Sequence, residues 1–239
     1  EAGNLTHAEL SALSIPQVRA EKVAHKDQRL RTFITSDKAR SDLVAHVYDI
    51  TRQIVGPQDT LVVLDDSIVR GTTLRESIIT ILSRLDPKRI VIASSAPPIM
   101  YPDCYGIDMS QLDRFIAFQA AISLIHSREM DDLLLDIEQA CRNQVALPPA
   151  RMVNHVRQIY EPFSEQELAD EIARLVRPQG LPWKGDLRVV YQTVDNLRTA
   201  MPEHRGDWYF TGDFPTPGGL RVLNQAFLNW RDGQSGRAY

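Results

Sequence analysis

Leu61-Val62-Val63-Leu64-Asp65-Asp66-Ser67-Ile68-Val69-Arg70-Gly71-Thr72-Thr73 is the stretch on which the fold turns. Thr60 to Leu64 has the length and composition of a buried strand. It delivers two adjacent carboxylates to its C-terminal end. In open α/β sheets ligands bind outside the carboxyl ends of the strands. The polar loop that follows runs into a helix start, where backbone N–H groups and the helix dipole favour an anion such as phosphate. Gly71 lets the backbone approach that anion, and the Ser and Thr hydroxyls add donors. Two carboxylates would repel phosphate, so they face other partners. Ribose hydroxyls and a hydrated Mg²⁺ suit acceptor-only groups. Taken singly, each feature also fits a plain helix cap at Ser67 or Thr72; taken together they are restrictive.

Working outward, Leu74 to Leu85 repeats apolar residues at helical spacing, Pro87 closes it, and Arg89 to Ala93 is a second buried-type strand. Strand, loop, helix and strand between residues 60 and 93 make a βαβ unit with parallel pairing. Upstream, Leu43, Val44, Val47, Ile50 and Ile54 form one apolar stripe, which predicts a helix over 41–55 ended by Gly56-Pro57. Residues 21–40 read as a loop with a short strand at Arg31 to Thr35. Residues 1–20 read as an amphipathic helix that Thr6 and Glu9 could cap. Downstream, Ser94 to Asp108 is loop-like, and Phe115 to Ile125 fits either a strand or a buried helix. Residues 127–143 are helical, and Leu147-Pro148-Pro149 marks a boundary. Ser164 and Glu167 form a capping box for a helix to about Val176. Leu187 to Gln192 alternates like a strand, and the tail from Pro202 is rich in Gly, Pro and aromatics. Trp208-Tyr209-Phe210 is expected to pack that tail onto the body.

The chain has 239 residues, 43% hydrophobic and 24% charged, which is the composition of a globular protein rather than a disordered one. A net charge of -4 gives no basic field, and no nucleic-acid partner is expected. No apolar run is long enough for a membrane span, so no membrane partner is expected either. Cys104 and Cys141 show no metal-ligand spacing and build no disulfide framework, so a reduced, cytoplasmic setting is expected. His46, His126 and His155 are read as structural, and Asp131, Asp132 and Asp136 as a solvated helix face. A chain opening at Glu1 is expected to be a fragment or a processed product.

Residues Leu61 to Thr73 resemble the phosphoribosylpyrophosphate (PRPP) motif of type I phosphoribosyltransferases, and Asp65 to Thr73 is similar to its amidophosphoribosyltransferase version. Arg31-Thr32-Phe33-Ile34 resembles the end of that family's flexible catalytic loop. Ala96-Pro97-Pro98 with Tyr105-Gly106-Ile107-Asp108-Met109 resembles the stretch after the next strand. Phe210-Thr211-Gly212 with Phe214-Pro215-Thr216 resembles its C-terminal end. The resemblance is dense from 31 to 120 and sparse from 145 to 205.

That resemblance implies an α/β fold with a parallel-sheet core of the type I phosphoribosyltransferase kind, truncated at its N-terminal side, and a mixed, mainly helical C-terminal extension. The expected division is 1–30, an N-terminal helical and loop segment; 31–145, a phosphoribosyltransferase-like domain; and 146–239, the extension and tail. It implies formation of 5-phosphoribosylamine from ammonia and PRPP with release of pyrophosphate, the first committed step of purine synthesis. Asp65 and Asp66 would hold the ribose diol and Mg²⁺. Ser67, Ile68, Val69, Arg70, Gly71, Thr72 and Thr73 would grip the 5-phosphate. Arg31 would belong to a catalytic lid, and Lys26 or Arg29 would contact pyrophosphate, the register being open. The implied partners are PRPP, pyrophosphate, inhibitory purine nucleotides, a glutaminase domain of the same polypeptide that this chain does not contain, and further copies in a homo-oligomer. Some family members carry an iron–sulfur cluster. Asp103, Gly206 and Tyr209 stand roughly where its cysteines would fall, so no cluster is expected. The rival reading is a PRPP- or purine-nucleotide-sensing module without turnover. The retained Arg31 segment favours the enzyme, and the altered basic residues around Lys26 favour the sensor.

Overall fold

Leucine and β-branched side chains gain most from a strand when one face of the sheet is packed against helices. The computed structural model places Thr60–Asp65 in such a sheet. It describes residues 24–26, 48–50, 55–103, 109–204, 206–234 and 238. The chain divides into two units, Glu1–Ile54 and Val55–Tyr239.

In the first unit, β1 (Ala24–Lys26) pairs antiparallel with β2 (Tyr48–Ile50), with Lys26 opposite Tyr48 and Ala24 opposite Ile50. This corrects the sequence reading twice. Tyr48–Ile50 is a strand where the apolar stripe predicts a helix, and Ala24–Lys26 is a strand where a loop is predicted. Val47 and Ile50 fit helical spacing, but Ile50 is β-branched and suits extended pairing equally well. A partner more than twenty residues away in sequence decides between the two. The helix expected over 1–20 and the Arg31–Thr35 strand lie outside the described residues.

The second unit is built on three parallel strands in the order β3-β4-β5: β3 (Thr60–Asp65), β4 (Arg89–Ser94) and β5 (Asp186–Tyr191). The register sets Asp65 beside Ser94 and Ser94 beside Tyr191. Ile90, Ile92, Leu187 and Val189 point to the buried face. Between β3 and β4 runs a wide π-turn, Leu74–Ile78, continued by α1 (Ile79–Ser83). Between β4 and β5 come α2 (Ile116–Ser127), α3 (Asp131–Gln144) and α4 (Glu165–Val176). The open choice at Phe115 to Ile125 resolves as a helix. Its run of buried Ile116, Ala117, Phe118, Ala120 and Ala121 belongs to a helix inside a core.

α4 packs on both α2 and β5. Its apolar set of Leu168, Ala169, Ile172, Ala173 and Val176 recurs at three- and four-residue steps and is buried throughout. The predicted capping box is present: Ser164 Oγ accepts the Glu167 N–H (3.2 Å), and Glu167 Oε2 accepts the Ser164 N–H (2.8 Å). Trp183 Nε1 donates to the Pro87 carbonyl (2.7 Å), and Arg177 donates to the carbonyls of Trp183 (2.7 Å) and Gly185 (3.0 Å). The segment leading into β5 is thereby fastened to the one leading into β4.

α5 (Val194–Ala200), α6 (Trp208–Thr211) and α7 (Pro217–Arg231) complete the chain. The Tyr209 carbonyl accepts the N–H groups of Met100 (2.9 Å) and Tyr101 (3.0 Å), tying the aromatic tail segment to the loop after β4. α7 packs on α3, and Trp230 meets Phe118 edge-on at 4.9 Å. Residues beyond 145 are mixed and mainly helical, as expected, and they also supply the third strand of the sheet and part of one core. No helix among the described residues is long and apolar enough to cross a membrane.

Candidate functional site

Asp65 ends β3, and the chain turns away from the sheet at Asp66. Asp65 Oδ1 accepts the Asp66 N–H (3.0 Å), and Asp66 Oδ1 accepts the Ser67 N–H (2.7 Å). Each carboxylate thus stiffens the turn with one oxygen, and its second oxygen lies outside these two bonds. Partial burial raises the Asp65 pKa; the Asp66 N–H opposes that rise, and the neighbouring Asp66 charge adds to it.

The turn is held from β4 as well. Ser95 follows Ser94, the register partner of Asp65. Its N–H donates to the Asp65 carbonyl (2.9 Å), and its Oγ reaches the carbonyls of both Asp65 (3.3 Å) and Asp66 (3.1 Å). On the other side, the Val69 carbonyl accepts the Ile116 N–H at the start of α2 (2.8 Å). Ile68 buries its side chain in the core at 3% exposure, and Val69 packs against the same core. Of the residues read as phosphate-binding, these two anchor the loop with their side chains. Only their backbone is left to face a ligand.

Gly71 is buried with φ +67°. A Cβ there would lie 2.7 Å from Val176 Cγ1 and 3.3 Å from Ile116 Cγ1. Close approach of α2 and α4 therefore demands glycine independently of any anion. The helical ladder begins with Arg75 N–H donating to the Gly71 carbonyl (3.0 Å), so the N–H groups of Thr72, Thr73 and Leu74 precede it. The Thr73 side chain makes no capping bond and is exposed. Thr72, Ser67 and Arg70 are half-buried. The loop thus presents acidic groups at one end and a helix start at the other.

Arg31 and Arg29 lie outside the described residues, and Lys26 is the last residue of β1 in the other unit. Cys104 and residues 105–108 also lie outside them. Cys141 is buried and its thiol is pushed up to about 12, by burial first and then by Glu138. His126 pairs with Asp131 (2.5 Å) across the α2–α3 turn. A separate cavity of about 290 Å³ opens beyond β4 and β5, among Pro98, Tyr101, Arg157, Tyr160, Ser164 and Gln192. None of the residues from Asp65 to Thr73 lines it.

Sequence reasoning missed Ser95 and Tyr191. Ser95 reaches the Asp65 carbonyl, and Tyr191 ends β5 on the far side of Ser94, only through strand register, which no local pattern reveals.

This geometry defines a class: an α/β protein whose parallel sheet carries a paired-carboxylate loop and a helix start at its carboxyl edge. Comparison with known proteins narrows it. Over 104 residues the chain is 38% identical to the amidophosphoribosyltransferase of Escherichia coli strain K12, covering 43% of this chain and 19% of that protein. Over 105 residues it is 36% identical to the amidophosphoribosyltransferase of Bacillus subtilis strain 168, covering 44% of this chain and 22% of that one. The chain is similar to amidophosphoribosyltransferases, as its motifs imply, and spans about a fifth of the length of these relatives. No protein-family model matches it. Among solved structures it is similar to a glutamine PRPP amidotransferase from B. subtilis complexed with ADP and GMP. The identity is 22% and the TM-score 0.44, over 82% of this chain and 32% of that one.

Proposed function

We propose that the Asp65–Thr73 loop binds PRPP with Mg²⁺, and that the protein serves the transfer of ammonia to ribose C1. The products would be 5-phosphoribosylamine and pyrophosphate, in purine synthesis. One observation carries the reading. A carboxylate pair at the carboxyl edge of a parallel sheet leads directly into a helix start, within a chain similar to proteins named amidophosphoribosyltransferase.

Asp65 and Asp66 hold the ribose 2- and 3-hydroxyls through oxygens not engaged by the turn, and so orient C1. The backbone from Ile68 to Leu74, with the Thr72 and Thr73 hydroxyls, takes the 5-phosphate. Binding energy gained at that remote phosphate is available to position the reacting carbon. Mg²⁺ commonly sits on one or two carboxylates together with substrate phosphates. Asp65 and Asp66 fit that role, and no cluster of three or more potential metal ligands occurs among the described residues. Bound there, the ion would neutralise charge on the pyrophosphate leaving group. Arg31 as part of a lid and Lys26 as a pyrophosphate contact belong to the same proposal, as do purine nucleotides as inhibitors and a cytoplasmic setting. No side chain needs to act as base, because ammonia is already nucleophilic.

Calorimetric titration with PRPP and Mg²⁺ tests the reading, with the double variant Asp65→Asn/Asp66→Asn as control. Saturable, Mg²⁺-dependent binding that the variant loses supports it. Ammonia-dependent pyrophosphate release then separates an enzyme from a sensor. Binding that the double variant retains overturns the assignment of the loop.

A further inference from the structure

The cavity of about 290 Å³ lies outside the carboxyl ends of β4 and β5, the side on which open α/β sheets take their ligands. Four segments wall it: Pro97 to Tyr101 after β4, residues between Arg157 and Leu168 leading into α4, Gln192 and Val194 after β5, and Phe210 with Thr211 from the tail. Bonds between these segments fix the walls. The Tyr160 hydroxyl donates to the Met100 carbonyl (2.7 Å), and the Tyr209 carbonyl holds the N–H groups of Met100 and Tyr101. Arg157 donates to the Thr211 carbonyl (3.1 Å) and pairs with Asp213. Between those two residues Gly212 turns at φ +72°, and a Cβ there would lie 2.8 Å from the Tyr101 ring. A hollow braced in this way is preformed, so a ligand entering it has few groups to order.

Its interior is apolar and largely aromatic. Tyr101 and Tyr160 meet edge to face at 5.5 Å. Phe163, Val194 and Phe210 are only half-buried, so apolar surface stays open to a ligand. The charges around it are unequal in sign. Arg157 is neutralised by Asp213. Arg128 lies over the Phe163 ring at 5.1 Å and pairs with Glu167 (2.5 Å). Glu161 and Glu165 also line the cavity, are exposed, and make no hydrogen bond or ion pair with any described residue. Glu165 suits the first turn of α4, but Glu161 precedes the cap and has no such role. The Glu161 charge is felt inside. Burial pushes the Tyr101 phenol up to about 12; Arg157 opposes the rise, and the charges of Asp213 and Glu161 add to it.

We propose that this cavity binds a small organic cation, an ammonium group carried on an apolar body the size of one aromatic ring. The body fills the space between Tyr101, Tyr160, Phe163 and Phe210, and the ammonium group lies towards Glu161 and Glu165. Apolar area supplies the attraction for the body, and the aromatic faces favour a cation beside them. An anion would meet two unpaired carboxylates, with the one guanidinium in the lining already neutralised. A strongly polar neutral molecule would leave water for walls that offer it few hydrogen-bond partners. None of the residues from Asp65 to Thr73 takes part, so the inference stands apart from the reading of that loop.

The test is methyl NMR of the whole chain, read at Met100, Leu168 and Val194, with phenethylammonium and phenylacetate as probes of similar size and opposite charge. Phenethylammonium should shift all three saturably and bind about tenfold more tightly than phenylacetate, the effect of two exposed carboxylates. In Glu161→Gln/Glu165→Gln, which changes only exposed side chains, that preference should disappear. In the wild type, intermolecular NOEs from the probe ring to Tyr101 and Phe210 place the ligand without any variant. Methyl signals that neither probe moves overturn the proposal, as do equal affinities for the two probes or NOEs confined to residues outside the cavity. A preference for the cation that survives the double variant overturns it equally. None of these readings uses PRPP, so failure of the PRPP titration would sink the proposed function alone.

Discussion

Gly71 and Val176 are in such close contact that a single added carbon on the glycine would sit 2.7 Å from Val176 Cγ1. The glycine of the proposed phosphate loop is thus a packing residue against α4. Gly71→Ala should destabilise the fold by about 2–4 kcal/mol, combining the left-handed backbone penalty with overpacking. Urea unfolding of Gly71→Ala, Val176→Ala and the double variant measures it. The double variant should be more stable than the sum of the singles predicts, because shortening Val176 relieves the clash. Strict additivity would place the cost of the alanine in the backbone alone.

Ser95 joins the acidic turn to β4. Ser95→Ala keeps the N–H bond to the Asp65 carbonyl but removes the hydroxyl from those of Asp65 and Asp66. The expected loss of stability is about 0.5–1.5 kcal/mol. A severalfold rise in KM for PRPP with a smaller change in kcat should accompany it, since the turn carrying both carboxylates loosens. A variant with wild-type KM would show that the backbone bond alone holds the turn.

Asp65 gives a pH dependence of opposite sign to the usual carboxylate. Burial raises its pKa above the ordinary 3.8. The folded chain therefore binds the proton more tightly than the unfolded chain. Stability attributable to this group falls as pH rises from 3.8 through the folded value, and the ionised group is a standing cost above it. Asp65→Asn should raise Tm at pH 7 and have little effect on Tm near pH 3, while PRPP binding is lost. A lower Tm at pH 7 would refute this trade of stability for a charged site.

Glu167 behaves in the ordinary way. The Arg128 guanidinium, with the Ser164 N–H second, holds its carboxyl at about 2 against 4.5 for the free group. Its contribution is complete above the unfolded value and is lost as pH falls from 4.5 towards 2. Glu167→Gln keeps a capping-box side chain but removes the charge, so acid unfolding should become less steep in that window. Ser164→Ala should cost about 1 kcal/mol at neutral pH, as the loss of an N-cap does, and somewhat less once Glu167 is protonated, because the Ser164 hydroxyl also donates to the Glu167 carboxylate. Thermal unfolding between pH 2 and 7 distinguishes the two.

The residues that could be read from sequence are those whose structure is decided locally. The Thr60–Asp65 strand announces itself by an apolar run changing to helical spacing at Leu74, although the burial expected of that run is not met, Val62 and Leu64 being exposed, and Ser164 with Glu167 caps α4 as its residue types require. Leu187 to Gln192 reads as a strand from alternation, yet nothing local says that it lies beside Arg89–Ser94. The stripe from Leu43 to Ile54 is ambiguous for the same reason, and Tyr48–Ile50 takes its form from Ala24–Lys26. At the site, Asp65, Asp66 and Gly71 are visible as a motif. Ser95 and Tyr191 arrive only through register, and the reason for Gly71 lies in Val176, more than a hundred residues on.

The central position of β4 also orders the events of folding. Its pairing with β3 closes a short crossover, whereas Arg89 and Asp186, neighbours across the β4–β5 ladder, are 97 residues apart in the chain. Closing so large a loop is slow because its entropy must be spent before the ladder forms. During synthesis the second edge of β4, with its Ile90-Val91-Ile92 run, waits for α2, α3 and α4 to be made before its partner exists. That interval is when an unprotected strand edge can pair with the wrong chain. Pairing with β5, whose approach the Arg177 and Trp183 bonds fasten, covers that edge.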